Sequence, residues 1–293
     1  MAGQPAGTGP GEAVLAEAAV AYHRALGSRL VASYALGSLA HGGFSPLVSD
    51  VDLGLILADP LSRSDRWVIR RVAAGVRAGG SPLHQRLSVF WGTPGSLGGQ
   101  RGGGRFPPLD RLDLLEHGRL LAGRDARDVV ARPGRDELLV AGAEFALGHL
   151  GGPESLPVRL RAWARPRPHR DQALAEIRDP ARLAARGPQR VTKVVLFPVR
   201  FRFTAATGRV GTNPLAVEHY LADAGAPAAE LVAAALAWRR DPPPAGEAVA
   251  LLRRDLIPLY TGYIDDHIAR LDALGQRALA GRFRRWRARL DER

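Results

Sequence analysis

Ser33-Tyr34-Ala35-Leu36-Gly37-Ser38-Leu39-Ala40-His41-Gly42-Gly43-Phe44-Ser45-Pro46-Leu47-Val48-Ser49-Asp50-Val51-Asp52-Leu53-Gly54-Leu55-Ile56-Leu57 is the stretch around which the chain is organised. An apolar, β-rich run from Leu30 to Leu36 stops at Gly37-Ser38. Eleven residues of turn chemistry follow, and a strand resumes at Asp50-Val51-Asp52-Leu53. Side chains alternate faces along a strand, so Asp50 and Asp52 share one face while Val51 and Leu53 turn to a core. Two neighbouring carboxylates repel unless a cation lies between them. Hard divalent ions such as Mg²⁺ are the usual answer, held by one or two carboxylates plus the phosphates of a nucleotide.

At 293 residues the chain is long enough for two domains with their own cores. A hydrophobic content of 46% with 24% charged residues suits a globular protein, and no apolar run approaches the ~18 residues of a spanning helix. Residues 1–11 are small, polar and Pro/Gly-rich, without the basic and apolar regions of a signal peptide, and predict a disordered leader. The absence of cysteine excludes disulfides, thiolate metal sites and a Cys nucleophile, in keeping with a cytoplasmic protein. The net charge of +12 rests almost wholly on arginine; Lys193 is the one lysine among 41 basic residues. With so much Gly, Pro and Ala, that bias has the look of GC-rich coding, which makes the surviving lysine noteworthy. Excess positive charge still concentrates polyphosphates near the surface.

Residues Gly11–Leu26 have helical spacing and end at Gly27. Pro60 and Ser62 open a second helix, carried by Trp67, Ile69, Val72 and Val76 and ended by Gly79-Gly80. Arg86–Trp91 reads as a third strand. Gly92–Arg105, with seven glycines, reads as a loop. Within it Gly102-Gly103-Gly104-Arg105 reads as linker, because no Gly-Lys-Ser/Thr follows. Leu109–Leu121 is a leucine-rich element closing on Ala122-Gly123-Arg124-Asp125.

From Arg135 the texture becomes helical, placing a domain boundary at Arg132-Pro133-Gly134: residues 12–133 form one domain and 134–293 another. Helices are expected over Asp136–Leu150, Gln189–Thr204 (kinked at Pro198), Leu215–Ala222 (capped by Asn213-Pro214) and Pro227–Arg239. One or two more cover Glu247–Leu290, and breaks fall at Pro166–Asp171 and Pro242-Pro243-Pro244. Asp265-Asp266-His267 reads as a solvated face. The arginine-rich tail, interleaved with Phe283 and Trp286, reads as a terminal helix packing its aromatics, with an RNA surface the less favoured alternative.

Leu36-Gly37-Ser38, eleven residues, then Asp50-Val51-Asp52-Leu53 resembles the signature of polymerase-β-like nucleotidyltransferases. In the second half, Lys193, Arg200, Thr204, Thr207-Gly208, Asn213-Pro214 and Ala216 resemble the helical domain of the aminoglycoside adenylyltransferases acting on streptomycin and spectinomycin. The resemblance implies an α+β nucleotidyltransferase core with a mixed sheet, followed by an all-helical domain. It implies transfer of a nucleoside monophosphate from ATP or another nucleoside triphosphate to a hydroxyl of a small, aminoglycoside-like acceptor. Asp50 and Asp52 would hold Mg²⁺ or Mn²⁺ and be the catalytic carboxylates. Gly37, Ser38, Ser49 and Lys193 would contact the nucleotide, Lys193 as a point charge on its phosphates. No membrane partner is expected, and nucleic acid is not the favoured partner.

The family usually carries a third carboxylate, on a neighbouring strand, as metal ligand and general base. The matching strand here is Leu87–Trp91, and Ser88 stands at that position. A hydroxyl takes no proton at neutral pH and ligates metal poorly. Glu144, Asp113 or Glu116 could substitute, the enzyme could run slowly on two aspartates, or the protein is a degenerate nucleotide-binding or regulatory relative that binds without turnover. His41, in the Gly-Ser to Asp turn, could touch phosphate or acceptor, or serve the turn through Gly42-Gly43.

Overall fold

Strands β1 (Leu30–Leu36) and β2 (Val51–Leu57) pair antiparallel in the computed structural model, which describes residues 9–99, 104–150 and 168–292. Strand β3 (Leu87–Gly92) runs parallel to β2, and β4 (Arg119–Gly123) antiparallel to β1, so the mixed sheet has the order β3-β2-β1-β4. Alternation along the strands sorts two cores. Ala35, Leu53, Leu55, Leu57 and Val89 pack with Leu15, Ala18 and Tyr22 of helix α1 (Pro10–Leu26) and with Ile69, Ala73 and Val76 of α3 (Arg63–Arg77). On the other face Tyr34, Leu36 and Ile56 pack with Leu97 of α5 (Pro94–Leu97) and Leu114 of α6 (Pro108–His117). Two short helices, α2 (Gly37–His41) and α4 (Pro82–Gln85), complete this unit, which parts from the second between Pro133 and Gly134.

Local chemistry explains the boundaries. Ser62 caps α3: its Oγ accepts the Asp65 N–H at 3.0 Å, and Asp65 Oδ2 accepts the Ser62 N–H at 2.8 Å. The same carboxylate takes the Arg29 guanidinium at 2.9 Å, tying α3 to the start of β1.

Several elements differ from the sequence expectation. Trp67 does not carry the buried side of α3; it is 58% exposed, and the buried stripe is Asp65, Ile69, Ala73 and Val76. The helical period of ~3.6 residues carries Trp67 round to the opposite side. Gly92–Arg105 is not all loop, since a Thr93/Ser96 capping box starts α5; Gly102 and Gly103 lie outside the described residues. The Leu109–Leu121 element divides at Gly118 into α6 and β4. Of the expected leader, residues 1–8 lie outside the described residues, and α1 already includes Pro10 and Gly11.

The second unit contains helices α7 (Arg135–His149), α8 (Pro168–Arg178), α9 (Pro180–Ala184), α10 (Pro188–Thr207), α11 (Asn213–Leu221), α12 (Ala229–Ala237), α13 (Ala245–Ala273) and α14 (Arg277–Asp291). The break expected at Pro166–Asp171 falls partly outside the described residues, and Pro168–Asp171 form the first turn of α8, where proline's missing N–H costs nothing. Asn213 is the first residue of α11 rather than its cap, and Thr212 precedes it. Tyr260, Tyr263, Phe283 and Trp286 are wholly buried where α13 and α14 pack together. His267 is buried too, stacked on Phe283 with planes 9° apart, so of Asp265-Asp266-His267 only Asp265 stays on a solvated face. Burial pushes the His267 imidazole down, partly opposed by Asp266. The buried Glu176 carboxylate is neutralised by Arg190 at 2.6 Å and Arg186 at 3.4 Å. Among the described residues no helix is long and apolar enough to cross a membrane.

The Asp65 anchor makes stability pH-dependent. Hydrogen bonding to Arg29 holds its carboxyl down to about 2, against an ordinary 3.8. Because the folded value lies below the unfolded one, the stabilisation is present above the unfolded value and fades as pH falls toward 2. Asp65→Asn should lower unfolding free energy by about 1–2 kcal/mol at neutral pH, discounted for the partly exposed guanidinium. Urea titrations should show this gap constant down to about pH 4 and closing between about pH 4 and 2.

Candidate functional site

The two strands that flank the Gly-Ser turn meet at one end of the sheet. Leu36, the last residue of β1, pairs with Asp52, and Asp52 pairs on its other side with Ser88 of β3. Paired positions share a face, so Asp52 and Ser88 stand side by side on the face that carries α6. Val51 and Leu53 are fully buried on the opposite face, as the alternation requires, while Asp50 and Asp52 are half-buried.

Gly37 is the hinge of the site. It has φ +59°, and a methyl on its Cα would collide with Asp52 Oδ2. Both the backbone conformation and the carboxylate lying against it therefore demand glycine. Its N–H donates to Asp113 Oδ2 of α6 at 2.6 Å, so carboxylates from a strand and a helix converge on one residue. Ser38, half-buried, follows as the second residue of α2. His41 at the end of α2 meets His117 at the end of α6 edge to face, with ring centroids 5.6 Å apart.

The loop from Gly42 to Asp50 is pinned at both ends. The Phe44 ring lies so close over Gly11 of α1 that a methyl there would collide with it. Arg86 then grips the segment just before Asp50, donating to the carbonyls of Pro46 at 2.7 Å, Leu47 at 3.1 Å and Ser49 at 3.0 Å. Ser49 is buried and its Oγ accepts the Ser45 N–H at 3.0 Å, so part of its bonding capacity shapes the loop itself. In the sequence Arg86 marks only the start of a strand. In a chain with 41 basic residues one arginine carries no signal of its own.

Of the candidate substitute carboxylates, Asp113 bonds to the Gly-Ser turn through the Gly37 N–H. Glu116 pairs with Arg132 at 2.9 Å, and Glu144 is exposed on α7. Among the described residues no group of three or more Asp, Glu or His side chains is arranged to hold an ion by itself. Asp50 and Asp52 nonetheless offer two hard oxygen donors, the number Mg²⁺ commonly takes from a protein when phosphates and water supply the rest. The donor chemistry thus fits a metal–nucleotide complex rather than a closed metal cage.

In the helical unit Lys193 is half-buried on α10. The turn after that helix is tightly built: Gly208 closes it with φ +70°, Arg200 donates to Gly211 O at 2.6 Å, and the Gly211 N–H donates to Thr204 Oγ1 at 3.2 Å. Arg200, Thr204 and Gly208 are among the residues whose spacing stood out in the sequence.

No protein-family profile matches the chain, and no curated protein matches it in sequence. Among solved structures it is similar to the spectinomycin adenyltransferase AAD(9) from Enterococcus faecialis, crystallised with ATP and spectinomycin. The TM-score is 0.52 at 11% identity, over 83% of this chain and 98% of that one. The chain therefore has the fold of an aminoglycoside adenylyltransferase: an α+β core with a mixed sheet and a helical remainder.

Two substitutions probe this arrangement. Gly37→Ala should destabilise the fold by about 1–3 kcal/mol through backbone strain and displacement of Asp52, read from the urea midpoint. Arg86→Ala should leave the cores intact yet speed amide exchange over residues 44–50 on the order of tenfold, measured by hydrogen–deuterium exchange.

Proposed function

We propose that this protein is a nucleotidyltransferase that moves a nucleoside monophosphate from a nucleoside triphosphate, most simply ATP, to a hydroxyl of a small-molecule acceptor. The observation that carries the reading is the Asp52 carboxylate lying against Gly37, with Asp50 two residues before it, at the end of the sheet. In such a reaction the acceptor oxygen forms a bond to the α-phosphorus, the bond to pyrophosphate breaks, and the hydroxyl proton is taken up. Catalysis then consists mainly of positioning and charge stabilisation.

Asp50 and Asp52 would hold Mg²⁺ or Mn²⁺, which when bound with the nucleotide offsets charge on the phosphates. Gly37, bare of a side chain, lets phosphate oxygens approach the turn. The Ser38 hydroxyl donates to an outer phosphate oxygen, and the Ser49 segment fixes where Asp50 points. Lys193 supplies a point charge to the triphosphate. The similar structure was crystallised with spectinomycin, which supports an aminoglycoside-like acceptor as the first to try.

A second reading, nucleotide binding without turnover, is favoured by one observation: Ser88, not a carboxylate, is the register partner of Asp52 on β3. Loss of a general base typically lowers rates ~10²–10⁴-fold.

Calorimetry with ATP and GTP, in Mg²⁺ and in EDTA, separates the readings. Metal-dependent binding to wild type, weakened at least about tenfold in Asp52→Asn, is the expected result; no binding of either nucleotide by the folded protein overturns both readings. Ser88→Glu should then raise turnover of labelled ATP on an aminoglycoside panel on the order of 10²-fold, if a missing carboxylate limits the rate. Binding that persists with no transfer in either form supports the sensor.

A further inference from the structure

The outward side of α3 is built unlike any other arginine-rich surface described in the chain. Arg63, Arg66 and Arg70 follow one another at helical spacing, with Arg71 beside them, and all four are exposed. None of the four is ion-paired to a described residue. The helix's single acid, Asp65, is buried against Arg29. Among these guanidiniums Trp67 is 58% exposed, with Arg71 over its ring at 5.0 Å.

The C-terminal helix α14 is the instructive contrast, because it has similar composition and the opposite arrangement. Its aromatics Phe283 and Trp286 are fully buried. Two of its arginines are ion-paired: Arg284 with Asp272, and Arg287 with Asp291 and Asp265. Coding bias explains arginine in both helices. It does not explain why one helix buries its aromatics and pairs two of its arginines while the other leaves its tryptophan exposed among four with no ion pair to a described residue.

Beside Trp67 runs a groove of about 520 Å³ between α1 and α3, lined by Ala21, Ala25, Val68, Val72 and Gly75. Val20 of α1 is a further exposed apolar residue, at 49%. On the α1 side the acid lining the groove, Glu17, is taken by His84 at 3.0 Å. The sheet separates this surface from Asp52, since α3 packs on the face opposite α6. It is therefore no part of the nucleotide site, and it stands whether or not the proposed function does.

We infer that this groove docks an acidic protein segment that inserts an apolar side chain beside Trp67 and lays its carboxylates against Arg71, which lines the groove, and Arg63, one turn from Trp67 on the same side of the helix. Charge complementarity selects an anionic partner, and Trp and Arg are the residues that most often dominate interface energetics. Single-stranded nucleic acid fits less well. Its binders present several aromatic platforms for successive bases, whereas this groove has one tryptophan and aliphatic walls. A bilayer fits less well again, because the apolar surface is concave between two helices rather than a projecting ridge.

The test uses the full chain and fluorescence anisotropy. One probe is a labelled synthetic helical peptide with leucines along one face and glutamates flanking them; the other is a labelled oligouridylate of equal charge. The peptide should bind, more weakly as salt rises. Affinity should fall at least about tenfold both in the double variant Arg63→Glu/Arg71→Glu and in Trp67→Ala. Arg253→Glu/Arg277→Glu, which alters net charge equally at exposed positions of α13 and α14, should change it by less than about twofold. All substituted side chains are exposed, and circular dichroism verifies that each variant is folded. No peptide binding overturns the inference, as does an equal loss in the control variant or an unmoved affinity in Trp67→Ala. Tighter binding of oligouridylate overturns it in favour of nucleic acid.

Discussion

The contact on which the first unit depends is that between the Asp52 carboxylate and the bare Cα of Gly37. It places a charged group where a β-strand begins and a backbone with positive φ where another ends. Neither is favourable alone. Strand pairing enforces it, because Leu36 is in register with Asp52 and Asp52 with Ser88. Slipping β2 by one residue would turn Leu53 out of the core and Asp52 into it, so hydrophobic burial on one face fixes the carboxylate on the other. Leu53, Leu55 and Leu57, all fully buried, supply that force.

The parts of this arrangement legible in the sequence are those governed by short periods. Alternation over Asp50–Leu53 names the faces, glycine marks the turn, and Ser62 marks the start of α3. Contacts between distant segments were not legible. Asp113 lies 76 residues from Gly37, and Arg86 lies 37 to 40 residues from the carbonyls it grips. No periodicity connects such pairs. Trp67 and His267 are misread for another reason: residue type suggests one side of the helix for each, and the packing of the whole unit reverses it.

Arginine illustrates why residue type says so little here. In α14, at the start of β3 and on α3 the same side chain does three things. It closes surface ion pairs worth little individually, it ties a loop through backbone carbonyls, and it stands exposed beside a tryptophan. Only the second shapes the nucleotidyltransferase-like site. Carbonyl partners hold the guanidinium without cancelling its charge, so Arg86 leaves a positive group against the segment that leads into Asp50. Composition counts all of these arginines alike.

Ser88 and Asp113 together bear on what the site can do. A carboxylate on β3 would share a row with Asp52, rigid and at fixed strand spacing. Asp113 instead arrives from a helix and already accepts the Gly37 N–H. On the proposed function, an anion bonded to the turn's amide occupies a donor that a phosphate oxygen would take, and it adds negative charge where a triphosphate would come. Nucleotide binding at this turn would, on that reading, require either that Asp113 release the amide or that a divalent cation offset both carboxylates at once. In the first case α6 moves with the nucleotide; in the second the metal must arrive with it.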